Sequence, residues 1–188
     1  MVGVDWAPLV TTALGAAIAF GGTAVAEGLR RRGDHGRDVL AVRRQAYLEF
    51  LLALGAGLQG LREVAATATT GEQRVDASDR ALTDAGVYVA RERFLMVASP
   101  AVVRAGEATF DGLIDVRDAV RAGARKSSPE FHVPYHPYSR AMWLLRGSIR
   151  ADLGSARLSP GDAGRGDWDD RGSCAVCEAR GQVPAAAG

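Results

Sequence analysis

Cysteine is nearly absent from these 188 residues: only Cys174 and Cys177 occur, three apart and close to the end of the sequence. A pair so placed cannot staple a domain, so apolar packing must hold the fold. Runs of aromatic and β-branched residues are scarce too, whereas alanine, leucine and arginine are abundant. That balance excludes a sheet-built core and sets the class as all-α. Charge of one sign is also lacking, since the formal net charge is only +1, which argues against a nucleic-acid partner. No nucleophile elbow, phosphate loop, zinc-protease helix or dinucleotide fingerprint is present. No catalytic or cofactor-binding residue is therefore assigned, no cofactor is expected, and nothing points to an enzyme.

Charge is missing altogether between Asp5 and Glu27, and arginines Arg30, Arg31, Arg32 and Arg37 follow at once. The uncharged stretch Trp6 to Ala26 is close to the roughly 20 residues that a helix needs to cross a hydrocarbon core. A single membrane-spanning anchor is expected over 6–26, with the lipid bilayer as its partner. Because basic residues stay on the cytoplasmic side, the N-terminus is expected outside and the body in the cytoplasm. Ala13, Ala17 and Gly21 recur four apart, a spacing that lets two helices approach closely in lipid and so allows a homo-oligomer. Ala24-x-Ala26 also offers a signal-peptide cleavage site, and a secreted helical protein is the corresponding alternative. The order of charges opposes it, because positive residues follow the apolar run instead of preceding it.

Beyond a swivel at Gly33 to Gly36, apolar periodicity takes over. Leu40, Tyr47, Leu54 and Leu61 repeat by sevens with Leu51, Leu58 and Ala65 beside them, which predicts a helix over about 38–68. Gly55, Gly57 and Gly60 suggest that a neighbouring helix comes close. After a turn near 67–73, Val75, Leu82, Val89 and Met96 predict a second long helix over 76–98, antiparallel to the first. Ser99-Pro100 reads as a cap and first position of a third helix ending near Gly123, with Asp111, Asp115 and Asp118 on its water-facing side. The proline-punctuated stretch Arg125 to Pro137 is expected to be a non-helical loop. A last helix over 138–153 ends at Gly154, and the glycine- and aspartate-rich remainder is expected to be disordered. The organisation is thus an anchor (1–29), a basic linker (30–38), a bundle of about four helices (39–157), namely a long hairpin plus two shorter helices, and a tail (158–188).

RRQAYLEFLLAL, RFLMVASPAVVRAGEATFDGLIDVRDAV and YSRAMWLLRGSIRADLG, taken with the Ala/Gly-rich start, resemble a group of uncharacterised membrane-anchored helical proteins of high-GC actinobacteria such as streptomycetes. The resemblance spans roughly Trp6 to Gly154. It implies a tethered helical bundle and adds no catalytic residue. The function expected on these grounds is a membrane-tethered interaction or scaffold module with an unidentified protein partner.

Cys174-Ala-Val-Cys177 is the one motif with recognisable chemistry. A redox dithiol would need a helix N-terminus in a βαβ setting, which the pattern does not supply. With His132 and His136, four residues apart, the cysteines would formally complete a Cys2His2 zinc set. Both pairs fall in segments expected to be irregular, so the metal assignment is none and the thiols are expected to face solvent in the tail. A metal-binding or redox-responsive membrane protein is the alternative that these four residues define.

Overall fold

The computed structural model describes residues 38–67, 71–169 and 171–181. The expected anchor over Trp6–Ala26, with Ala13, Ala17 and Gly21, and the basic block Arg30, Arg31, Arg32 and Arg37 lie outside the described residues. Among the described residues every regular element is helical, and no helix is long and apolar enough to cross a membrane. The chain divides into two compact units, Met1–Val42 and Arg43–Gly188. The elements below belong to the second, apart from the first residues of α1.

Helix α1 covers 38–66. Its expected stripe is buried at Tyr47, Phe50, Leu54, Leu58, Leu61 and Ala65, while Leu40 stays exposed. The second expected helix is in fact two, α2 (Gly71–Asp84) and α3 (Val87–Val97). They meet at Gly86, which takes a φ of 67°, a left-handed conformation that glycine adopts without a Cβ penalty. The break rotates the register. Past it Val87, Ala90 and Phe94 turn inward, while Val89 and Met96, which continue the unbroken sevenfold pattern, face solvent.

Close approach of α1 to this pair is visible where the glycines sit. A Cβ on Gly60 would come within 2.9 Å of Ala81 Cβ, and one on Gly57 within 3.0 Å of Val87, but Gly55 meets nothing. The pairings 60 with 81 and 57 with 87, together with Phe50 stacked on Phe94 at 4.4 Å, make α1 antiparallel to α2 and α3. Phe94 is fully buried, and burial of a side chain that large contributes about 1.5–3 kcal/mol.

Helix α4 (Pro100–Arg121) has Pro100 in its first turn as expected, but Ser99, extended at the N-cap position, makes no side-chain cap hydrogen bond. Asp111, Asp115 and Asp118 are exposed. Helix α5 (Pro129–Asp152) then corrects the sequence reading: Pro134 and Pro137 lie inside it, so the connection shrinks to 122–128. Each proline removes one backbone rung. Burial of Phe131, His136 and Tyr138 along the same stretch offsets that loss, so packing overrides the local proline signal. Two hydrogen bonds tie α5 to α1: Tyr138 Oη donates to the Leu54 carbonyl at 3.2 Å and Tyr47 Oη to Asp152 at 2.7 Å.

Gly154 terminates α5 with a φ of 76°. Of the residues expected to be disordered from 158, the described ones form a strap with two 3-10 turns (Gly161–Ala163 and Arg171–Ser173) and a short helix α6 (Ala175–Gly181), while 170 and 182–188 lie outside the described residues. Trp168 of the strap stacks on Trp143 of α5 at 4.8 Å. Composition hid this order, because one indole pair and a few polar contacts hold the strap where an apolar period would have been the signal.

Candidate metal centre

The helical state of 129–137 changes what His132 and His136 can do. Four apart on a helix, they share a face, and the structure puts their rings 5.6 Å apart. Across from them, Cys174 precedes α6 and Cys177 lies in its first turn, where its N–H donates to the Cys174 carbonyl at 2.9 Å. One ligand atom from each of His132, His136, Cys174 and Cys177 lies within 4.8 Å of the other three. Cys174 Sγ is 3.2 Å from His132 Nδ1, and Cys177 Sγ is 3.3 Å from His136 Nε2. The set that spacing joined only formally is therefore joined in space.

The outward nitrogens of the two rings define the inward ones. His136 Nδ1 meets the Asp169 carbonyl at 2.5 Å, and His132 Nε2 meets the Lys126 carbonyl at 3.1 Å. A carbonyl oxygen only accepts, so each of these nitrogens carries the proton. In neutral rings the other nitrogens, His132 Nδ1 and His136 Nε2, carry the lone pairs, and they lie 3.2 and 3.3 Å from the sulfurs. Metal-bound histidines ordinarily have this arrangement, with the distal N–H held by a backbone carbonyl or carboxylate that fixes tautomer and ring orientation.

Ionisation of the thiols is asymmetric. Burial pushes Cys174 upward, but hydrogen bonds from the Cys177 backbone N–H, then from the His136 ring and the Cys177 thiol, and last from the Val176 backbone N–H together outweigh it and hold this thiol below its ordinary pKa. Burial and the neighbouring Cys174 push Cys177 up. Nearby, the Asp169 carboxylate accepts the Arg171 backbone N–H at 3.0 Å, and that bond keeps it ionised below the usual carboxylate range.

Bond lengths of about 2.3 Å to sulfur and 2.0–2.1 Å to nitrogen place tetrahedral zinc ligands roughly 3.3–3.8 Å from one another. The two sulfur–nitrogen pairs already sit near that separation, and the widest pair needs to close by about 1 Å. His136 is buried, with 3 % exposure, while His132 and both cysteines are half-buried. Four protein ligands fill a tetrahedral shell and leave no position open to a substrate, which is the pattern of a structural site.

Compared with protein families, curated proteins and solved structures, this chain matches none. The Lys126 and Asp169 carbonyls carry no mark in the sequence, because a backbone acceptor is available at every residue. One signal was available, however: His-x3-His is the spacing that puts two imidazoles on one helical face, and the prolines around it concealed the helix.

Proposed function

We propose that this chain is a zinc-binding helical module in which one Zn2+, held by His132 Nδ1, His136 Nε2, Cys174 Sγ and Cys177 Sγ, clamps the C-terminal strap onto α5. The observation that carries the reading is the convergence of four ligand atoms within 4.8 Å of one another, with the outer nitrogen of each ring held by a backbone carbonyl at 3.1 and 2.5 Å. Sulfur and imidazole in a four-ligand set favour zinc over the oxygen-preferring magnesium and calcium. The metal contributes cohesion here, as structural zinc does elsewhere. Elemental analysis of protein purified without chelator tests it. One zinc per chain, lost in the Cys177→Ser chain, is expected, and freely titrating thiols with no zinc would refute it.

The sequence adds a second reading about place. An uncharged 6–26 followed by Arg30, Arg31, Arg32 and Arg37 supports a single membrane anchor with the zinc module on the cytoplasmic side, as an interaction or scaffold protein. Thiolate coordination favours the same side, since the cytosol keeps cysteines reduced. A cytoplasm-dependent reporter fused to the C-terminus should be active in the membrane fraction. A silent reporter, with protein in the medium and a mature chain starting at Glu27, would instead support secretion.

A further inference from the structure

The four candidate ligands are divided between two segments by chemical type. Both imidazoles stand on α5, and both sulfurs belong to the strap. Every metal bond between strap and bundle would therefore run from a sulfur across to a ring nitrogen. The sulfurs are also neighbours of each other. They lie within 4.8 Å, and the 2.9 Å bond from the Cys177 N–H to the Cys174 carbonyl closes a tight turn between the two residues. Such a turn holds its end Cα atoms less than about 7 Å apart, and a disulfide spans about 4.4–6.8 Å between Cα atoms. The two sulfurs can thus join by side-chain rotation with little movement of the backbone. Neither is sealed in, because both cysteines are half-buried where His136 is buried, so a solute the size of water reaches them.

We propose that the clamp is a peroxide-sensitive latch, in which hydrogen peroxide joins Cys174 to Cys177 and so releases the zinc and the strap together. The proposal rests on the zinc reading. Coordination keeps both sulfurs as thiolates, the form that attacks peroxide, and zinc has no redox chemistry of its own, so the two electrons come from sulfur. One thiolate attacks a peroxide oxygen: the S–O bond forms, the O–O bond breaks and hydroxide leaves, giving a sulfenic acid. The second thiolate attacks that sulfur: the S–S bond forms, the S–O bond breaks and another hydroxide leaves. Two protons from solvent convert both hydroxides to water, so two thiolates, one hydrogen peroxide and two protons become one disulfide and two waters. Thiolate, not disulfide, is the zinc ligand, and the ion is left with two imidazoles of a four-ligand site. Because the new bond lies wholly within the strap, it restores no tie to α5. A dithiol reductant exchanges with the disulfide and returns both thiols, which resets the latch when zinc is present.

The test uses the full chain, reduced, with its zinc content measured first and excess metal removed. Hydrogen peroxide is added in rising amounts while a colorimetric zinc indicator records release. Intact mass and thiol titration of the denatured chain record the state of the sulfurs. The expected result is loss of one zinc for every two thiols lost, in a monomeric chain lighter by two hydrogens. Limited proteolysis should then cut between 155 and 174, as in chelated protein, while circular dichroism shows the bundle helices retained. Dithiothreitol with added zinc should restore the metal, the thiols and the protection. In Cys177→Ser the second thiolate is missing, so oxidation should stop at a Cys174 sulfenic acid that dimedone traps. Zinc and thiols both retained under peroxide that fully oxidises glutathione overturn the latch. So do added oxygen atoms or a bond between chains in place of the internal disulfide, and so does an oxidised chain as protease-resistant as the zinc-loaded one. In each of these cases the zinc reading stands, whereas a purified chain that holds no zinc overturns both.

Discussion

Stripping zinc should separate the strap from the bundle without dissolving the bundle. Two of the four ligands, His132 and His136, sit on α5, and the other two on the strap, so metal bound only to the native arrangement stabilises it by RT ln(1 + [Zn]/Kd). With free zinc at a thousand times Kd, this is about 4.1 kcal/mol. For a domain of about 150 residues, where each kcal/mol moves the melting temperature by about 2–4 °C, the expected fall on chelation is about 8–16 °C. The core that remains includes Tyr47, Phe50, Leu54, Phe94, Leu113 and Leu145, all essentially sealed from solvent and all on α1, α3, α4 and α5. Melting followed at 222 nm, with zinc and with a chelator, should therefore show one cooperative transition in both states, displaced by that amount. Limited proteolysis in the chelated state should cut first between 155 and 174. Cys177→Ser and His136→Ala should reproduce the low melting temperature and make it insensitive to chelator. An identical melting temperature with and without chelator, in protein whose thiols are reduced, would refute the reasoning.

Three further outcomes follow from the bundle itself. A Cβ placed on Gly106 would lie 2.5 Å from Phe94 Cε1 and Cζ, so Gly106→Ala should destabilise by about 1–3 kcal/mol through overpacking, measured by urea unfolding. Asp152 has a depressed pKa: burial opposes the shift, but hydrogen bonds from Ser99 and Tyr47 and the nearby Arg43 prevail. Its contribution is complete above the unfolded carboxylate pKa of about 3.9 and fades as pH falls through the lower folded value. Tyr47, pushed up to about 12 by burial and by its bond to Asp152, has the opposite sign: its contribution is present below its ordinary 10.0 and lost as pH climbs to about 12. Stability of the chelated protein should therefore fall on both limbs, and Asp152→Asn should flatten the acid one. Arg74 is buried, with no hydrogen-bond partner for Nη1, so Arg74→Met should leave stability unchanged or raise it by about 1 kcal/mol, which thermal melting would detect.

The all-helical class and most of the α1 face were legible in the sequence because both depend on local repetition. Tyr47, Leu54 and Leu61 repeat at the helical period, and all three are buried. Legibility stopped where tertiary contacts decide. Phe131 and Tyr138 draw the proline-bearing start of α5 into a helix, and a left-handed Gly86 moves the buried face from Val89 and Met96 to Val87 and Phe94. Neither outcome is written in a spacing. For the candidate metal centre the ligand types were visible, but their convergence was not. It requires α5 to be helical at His132 and the strap to turn back across it, and the turn depends on the long-range contact between Trp143 and Trp168.

The order of the ligands along the chain also sets an order of events during synthesis. His132 and His136 leave the ribosome 38 residues or more before Cys174, by which time α1 to α5 have all emerged and can pack as a unit. On the zinc reading the clamp could close only after that, so the metal would act on a bundle already made. A cell short of zinc would accumulate chains with a formed core and a loose C-terminal strap, open to proteases at a defined place.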